Sequence, residues 1–301
     1  KKWIWGADDT GNITDSKNQK WLRSYIGKWM NSLSNPKHRN IDLVMGDGGL
    51  GSESSLEDYQ KLELAQLITL VSVSTNKSNC IIKHFLPYIF KIKEETLKAN
   101  GFYTSLKNLN INKLHGLLLH NSSDLFNKRG IEIYRAMLEA KKQKLTKKIG
   151  ISIYDPNMIK KILNNYNFDI IQAPFNVIDR RLLNKNILNN IKKKKIEIHI
   201  RSIFLQGLLL MKNENIKNYF NKWKKLFLKW MNFLQKNQIE AQNVCVNYAF
   251  SIKQFNKVII GFNSHDELKQ ILNIKKKSLF LPKKIMSNSK LLIHPHLWKK
   301  K

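Results

Sequence analysis

The sequence has no run of 18 or more apolar residues in its 301 positions, which excludes a transmembrane helix. Its longest apolar stretches, such as Leu117–Leu119 and Val258–Phe262, are strand-sized. It has only two cysteines, Cys80 and Cys245, far apart in apolar surroundings. That usage excludes a disulfide framework or a cysteine zinc site and fits buried thiols in a reducing compartment. There is no Pro/Ser-rich linker, no tandem repeat of fixed period and no signal-type apolar region. The chain begins Lys-Lys-Trp without an initiating Met, so it reads as an internal or truncated piece. Acids are scarce: 22 Asp and Glu against 53 Lys and Arg leave a formal charge of +31.

A balance this basic favours polyanions, nucleic acid first and an anionic membrane surface second. A compositional bias toward Lys, Asn and Ile, as an AT-rich genome supplies, produces the same excess, and charge alone does not separate the two. With 42% hydrophobic residues and 10% aromatics the chain has ample material for a core.

From Lys1 to about Asn100 the order is polar loop, helix, strand, helix, strand. Asn18–Leu33 carries Trp21, Leu22, Tyr25, Trp29 and Leu33 on one helical face. Ile41–Met45 is a strand ending in Gly46-Asp47-Gly48-Gly49, Leu56–Val73 a helix, and Asn79–Phe85 a second buried strand. From about Phe102 strands and helices alternate regularly. Strands are predicted at Leu114–Leu119, Lys148–Ser152, Asp169–Pro174, Glu197–Ile203 and Val258–Phe262. Helices are predicted at Arg129–Lys144, Pro156–Asn165, Arg181–Asn190, Ile216–Lys236 and Asp266–Leu272. Repeated βα units imply a parallel sheet covered by helices. A closed (β/α)8 barrel takes eight strands in about 250 residues, so the pattern gives about five units of one.

Two sets of residues carry chemistry. Asp47 lies in a Gly-flanked loop at a strand's carboxyl end, and Lys83 sits inside the next apolar strand. A carboxylate and a lysine in one cleft could hold a hydroxyl and accept its proton, or Lys83 could reach water while Asp47 caps a turn. His120 ends the strand Leu114–Leu119, Ser152 ends the next, and Gln172 lies within the third. Arg201 and Ser202 lie towards the end of the fourth, and Gly261–Ser264 precede the last helix. Barrel enzymes keep their chemistry at that rim, and a helix N-terminus offers an anion site. His294-Pro295-His296 lacks a third ligand at metal spacing, so no metal is assigned.

The words Asp9–Thr14 with Asn18, then Asp42–Gly49, Gln60–Leu70 and Ile81–Phe85, resemble the FtsJ-like 2′-O-ribose methyltransferases of the cap-type branch and its viral relatives. The resemblance covers about residues 3–95. It implies S-adenosylmethionine on a partial Rossmann-like sheet and an RNA substrate. Asp47 and Lys83 stand as two of the family's Lys-Asp-Lys-Glu tetrad, and Asn12 lies in the loop beside the cofactor's adenosine.

The words Leu114–His120, Lys147–Ser152, Ile170–Asn176, Arg201–Gly207 and Val258–Leu268 resemble the carboxyl-terminal part of the aldo/keto reductases, in order and spacing, over about residues 103–272. The resemblance implies an NADP- or NAD-dependent oxidoreductase acting on a small carbonyl substrate. It makes His120 the catalytic histidine and places Ser152 and Gln172 at the nicotinamide amide. Arg201, with Ser202 beside it, is packed by the cofactor, and Gly261, Phe262, Asn263 and Ser264 lie along its phosphate. That family's catalytic Asp, Tyr and Lys come from the first three strands, which the methyltransferase-like words replace here, so both catalytic sets read as incomplete.

The expected organisation is thus α/β throughout: a methyltransferase-like fragment over residues 1–100, then an incomplete (β/α)8 (TIM) half-barrel over 101–301 with a basic carboxyl-terminal tail. The leading expectation is reductase descent. RNA 2′-O-methylation as the main activity, a non-catalytic basic RNA-binding remnant and a chimeric gene product are the alternatives. Open sheet edges imply self-association, and the expected setting is the cytoplasm, or a host cytoplasm for a viral product. The basic aromatic stretch Ile216–Lys236 suits an outer barrel helix better than a membrane-surface helix. Lys275–Lys284 and Lys299–Lys301 read as a loosely held, solvated terminus or as contacts to RNA phosphates.

Overall fold

The computed structural model describes residues 81–84, 106, 111–262, 265–275, 277 and 280–298. It divides into two compact units, Lys1–Gly150 with Gly261–His265 and Ile151–Ile260 with Asp266–Lys301.

In the first unit, β1 (Ile81–His84) pairs in parallel with β2 (Leu114–Leu119), Ile81 opposite Gly116 and His84 opposite Leu119. Of the strand expected at Asn79–Phe85, the described part, Ile81–His84, is a strand and runs along the edge of β2. Leu114, Leu117, Leu118 and Leu119 are all buried, the unbroken apolar run of a strand covered on both faces. A short 3-10 turn, Ser122–Phe126, follows, capped by Asn121, whose side chain accepts from the Ser123 N–H at 3.1 Å. Helix α1 (Gly130–Lys142) buries Ile133, Met137 and Ala140, spaced by four and three residues, and ends in Lys141 and Lys142, which suit the negative end of the helix dipole. Gly130 is required there, because a Cβ would overlap the Leu125 backbone carbonyl. Strand β3 (Thr146–Ser152) begins in this unit and ends in the other.

In the second unit the Ile153 N–H continues from β3 to the carbonyl of Gln172 at 2.9 Å. Helix α2 (Met158–Asn165) buries Ile159, Ile162 and Leu163. Strand β4 (Ile170–Pro174), buried at every position, pairs in parallel with β5 (Glu197–Arg201), Ile170 opposite Glu197 and Pro174 opposite Arg201. Between them α3 (Lys185–Lys193) is capped by Asn184, which accepts from the N–H groups of Asn186 and Ile187. After β5 come short 3-10 turns, α4 (Lys224–Asn237), α5 (Ala241–Ser251) and β6 (Lys257–Val258), which pairs with His199 and Ile200 of β5. Helix α6 (His265–Leu272) follows. Strands β2 to β6, each followed by helix, supply the five expected βα units among the described residues. The architecture is α/β with parallel strands in sequence order, as in part of a (β/α)8 barrel.

Several expectations need correction. The last strand is the two-residue pair Lys257–Val258 rather than Val258–Phe262, with one further ladder bond from the Ile259 N–H to the Ile200 carbonyl at 2.8 Å. The single helix predicted over Ile216–Lys236 is instead a 3-10 stretch, Asn218–Trp223, and then α4, which turns Phe227 and Trp230 inward and its lysines outward. No described helix is long and apolar enough to cross a membrane. The end of the stretch Lys275–Lys284, expected to be loosely held, is anchored from residue 281, and the packing continues to residue 298. Leu281, Ile285, Leu292 and Ile293 are buried, and Arg180 donates to the carbonyls of Leu281 and Pro282 at 3.1 and 3.3 Å. Its lysines alternate with these anchors, so composition hid the packing.

Candidate functional site

Strands β3, β4 and β5 bring three of the predicted residues together, Ser152 and Arg201 from the ends of β3 and β5 and Gln172 from within β4. Ser152 and Gln172 are both buried, and the Ser152 hydroxyl donates to the Gln172 side-chain oxygen across 3.5 Å, a long contact at the edge of hydrogen-bond range. Arg201 closes the group from β5. One terminal nitrogen donates to the Ile153 carbonyl at 3.3 Å and the other to the Ser202 hydroxyl at 3.2 Å. Its guanidinium lies 4.6 Å from the centroid of the Tyr154 ring, a cation–π stack that holds the plane of the group. Ser202 follows with φ at +62°, turning the chain out of the strand.

Behind these residues lies a charged cluster. Asp179, completely buried, takes two bonds from Arg181: Nε to Oδ1 and a terminal nitrogen to Oδ2, each at 2.9 Å. Arg181 also donates to Asp155 at 3.2 Å and to the Tyr154 carbonyl at 3.2 Å. Burial pulls Arg181 toward the neutral form, but Asp179 and Asp155 outweigh it and hold the guanidinium above its ordinary pKa. The carboxyl-terminal residues complete the cluster. His294 Nε2 lies 3.1 Å from Arg181, and the His296 ring meets Tyr154 edge-on at 5.1 Å. Burial, then Arg181 and His296, push His294 below its usual value against the pull of Asp179 and Asp155. His296 is lowered by burial and then by Arg201.

In the first unit His120 follows β2 directly and is half-buried. Lys83 stands in β1 opposite Leu118, two residues before His120 on the neighbouring strand. Gly261 is exposed, with open space where a Cβ would project, and Phe262 is half-buried. Asn12, Asp47, Asn263 and Ser264 lie outside the described residues.

The sequence assigns no site role to Tyr154, Asn176, Asp179 or Arg181, and it weighs His294 only as a metal ligand. A signal was present in Asn176-Val177-Ile178-Asp179-Arg180-Arg181, where Asn and paired charges directly follow a buried strand. Buried charges occur only when paired.

A hydroxyl and a carboxamide side by side complement a ligand carboxamide, which has one acceptor and two donors to place. A stacked guanidinium suits a flat or anionic group beside it. The family pattern described as "Aldo/keto reductase family" matches residues 87–287, more than half of the chain. The chain belongs to the aldo/keto reductase family. Among solved structures it is similar to an aldo-keto reductase from Bacillus halodurans. The holo form aligns at 18% identity and a TM-score of 0.55, covering 71% of this chain and 73% of that one. The apo form gives 18% identity, a TM-score of 0.54 and coverage of 76% and 82%. An aldo-keto reductase enzyme from a Medee basin deep-sea metagenome library gives 16%, 0.51, and coverage of 73% and 75%. At these identities the likeness is one of fold. No curated protein matches the chain.

Proposed function

We propose that the chain binds NADP(H) or NAD(H) at the ends of its strands and reduces a small aldehyde or ketone. Aldo/keto reductases use NAD(P)H and act on carbonyl substrates. The observation that carries the proposal is the buried Ser152–Gln172 pair beside the stacked Arg201, in a chain of this family. Ser152 and Gln172 would hold the nicotinamide carboxamide, and Arg201 and Ser202 would pack against the cofactor. Gly261, Phe262, Asn263 and Ser264 would follow its phosphates, with the open space at Gly261 allowing close backbone approach. When bound there, a nicotinamide cofactor would supply the hydride that reduction of a carbonyl needs.

This chain's own residues orient the carbonyl and manage the proton. His120 is the proposed group at the carbonyl oxygen: an imidazole donates a hydrogen bond there and exchanges a proton near neutral pH. Lys83 is reassigned to the same rim in this proposal, because its strand pairs with β2 and its position opposes Leu118. The test is NADPH and NADH oxidation with a panel of short aldehydes and ketones. Turnover that falls at least tenfold in His120→Ala, with cofactor binding retained, supports these roles. Turnover unchanged in His120→Ala removes His120 from them.

A second reading belongs to residues 3–95 alone and rests on the words around Asp47 and Lys83: S-adenosylmethionine-dependent 2′-O-methylation of RNA held by the basic surface. Saturable binding of S-adenosylmethionine that Asp47→Ala abolishes would support it. No binding by the folded chain would sink it.

A further inference from the structure

Ser202 leaves β5 left-handed, a conformation that side-chain-bearing residues rarely adopt without local support. The support comes from the loop after β4. Asn176 Nδ2 donates to the Ser202 carbonyl at 3.2 Å. The same side chain's Oδ1 accepts from the N–H groups of Ile178 at 2.9 Å and Asp179 at 2.8 Å. An amide nitrogen cannot accept those two donors, so the carboxamide cannot turn over, and its NH2 is committed to the Ser202 side. The neighbouring Phe175 N–H donates to the Arg201 carbonyl at 3.0 Å. Two consecutive residues after β4 thus grip two consecutive carbonyls, that of the last residue of β5 and the one after it. Beyond the grip, Leu205, Gln206 and Gly207 also have positive φ, of +49°, +53° and +79°, so the loop that Ser202 opens stays in left-handed backbone.

We propose that Asn176 is a positioning residue for nicotinamide cofactor binding, acting by fixing the Ser202 carbonyl and so aiming Arg201 and the 202–207 loop. This rests on the NAD(P)H assignment above. Asn176 is buried and works through Ser202, not by touching cofactor or substrate. Its backbone N–H donates to the Asp179 carbonyl at 3.0 Å, which ties the carboxamide to a rigid turn.

Asn176→Asp isolates the effect. It keeps the oxygen that accepts from Ile178 and Asp179 and places an acceptor-only oxygen opposite the Ser202 carbonyl. Two readouts on the full chain separate loop from ligand: amide hydrogen exchange without cofactor, and titration with NADPH and NADH. In Asn176→Asp, exchange across residues 202–207 should rise at least tenfold with β4 unchanged, and the cofactor should bind at least tenfold more weakly, while the thermal transition stays cooperative. In a Ser202→Gly background, where glycine takes the left-handed conformation without strain, Asn176→Asp should change exchange less than threefold.

Equal exchange in wild type and Asn176→Asp, or the same increase in both backgrounds, overturns the proposal. Equal cofactor affinity in wild type and variant also overturns it, while leaving the cofactor assignment intact. A folded wild type that binds neither nucleotide sinks the cofactor assignment, and the exchange experiment then decides the loop role by itself. Should Asn176→Asp lose its cooperative transition, Asn176→Ala carries both readouts with the same expected and overturning results.

Discussion

Arg181 holds the fully buried Asp179 through two parallel 2.9 Å bonds, with 9% of its own side chain exposed. Removing one partner of a buried ion pair leaves the other without compensation, a loss of about 3–5 kcal/mol. Arg181→Ala should therefore lower the urea midpoint steeply. Arg181→Lys should recover only part of the loss, because an ammonium cannot reproduce the two-bond fork. Equal stability of all three proteins would show that the pair is not structural.

The packing of residues 281–298 should depend on pH. Arginine only donates, so the 3.1 Å contact makes His294 Nε2 an acceptor and the ring neutral. The groups facing it are Arg181, His296, Asp179 and Asp155, and Lys290 lies 3.8 Å from Asp155. His294 has a folded-state pKa below the ordinary 6.5, so its contribution is complete above that value. It is lost as pH falls from there through the lowered folded-state pKa, because the unfolded chain takes up the proton first. Hydrogen exchange in 281–298 should rise over that acid window. In His294→Gln, which keeps an uncharged acceptor, the rise should be smaller, with His296, whose pKa is also lowered, supplying what remains; a rise of the same size in both proteins would contradict the assignment.

Two glycines should respond oppositely to alanine. At Gly130 the new Cβ overlaps the Leu125 backbone, so α1 must shift, at a cost of about 1–3 kcal/mol. At Gly207 the Cβ meets nothing within 4 Å, and only the φ of +79° is strained, at about 1 kcal/mol. Thermal melts should rank Gly130→Ala below Gly207→Ala, and the reverse order would count against the packing around the first turn of α1.

Cys245 should be inert in the folded protein. It is buried in α5, and burial drives its thiol well above the ordinary range, leaving almost no thiolate. Mass mapping after iodoacetamide should find it unmodified in buffer and fully alkylated in urea. Alkylation in buffer at the rate of a free thiol would contradict its burial.

The sequence made β2 and β4 legible as short, mainly apolar segments, and β3 and β5 through isoleucines spaced two apart, Ile149 with Ile151 and Ile198 with Ile200. Helix α5 was not, for a physical reason. Val244 through Ala249 are six consecutive buried residues, so no apolar stripe of period 3.6 marks the helix. Ser152 and Arg201 could be read because they end their strands, and Gln172 because it is a polar residue inside an apolar one. The support behind them could not, because it depends on contacts distant in sequence, such as Arg181 to His294 across 113 positions and Asn176 to Ser202 across 26. The carboxyl-terminal stretch misled through its exposed lysines: Lys283 and Lys284 lie between the buried Leu281 and Ile285, and Lys290 between Ile285 and Leu292.

The most direct test of nicotinamide binding at this rim is calorimetric titration of the chain with NADPH and NADH, beside Gln172→Ala, after a cooperative melt has been recorded for both. Saturable binding of one nucleotide, weakened at least tenfold in Gln172→Ala, is the predicted result. A cooperatively folded wild type that binds neither nucleotide would contradict it.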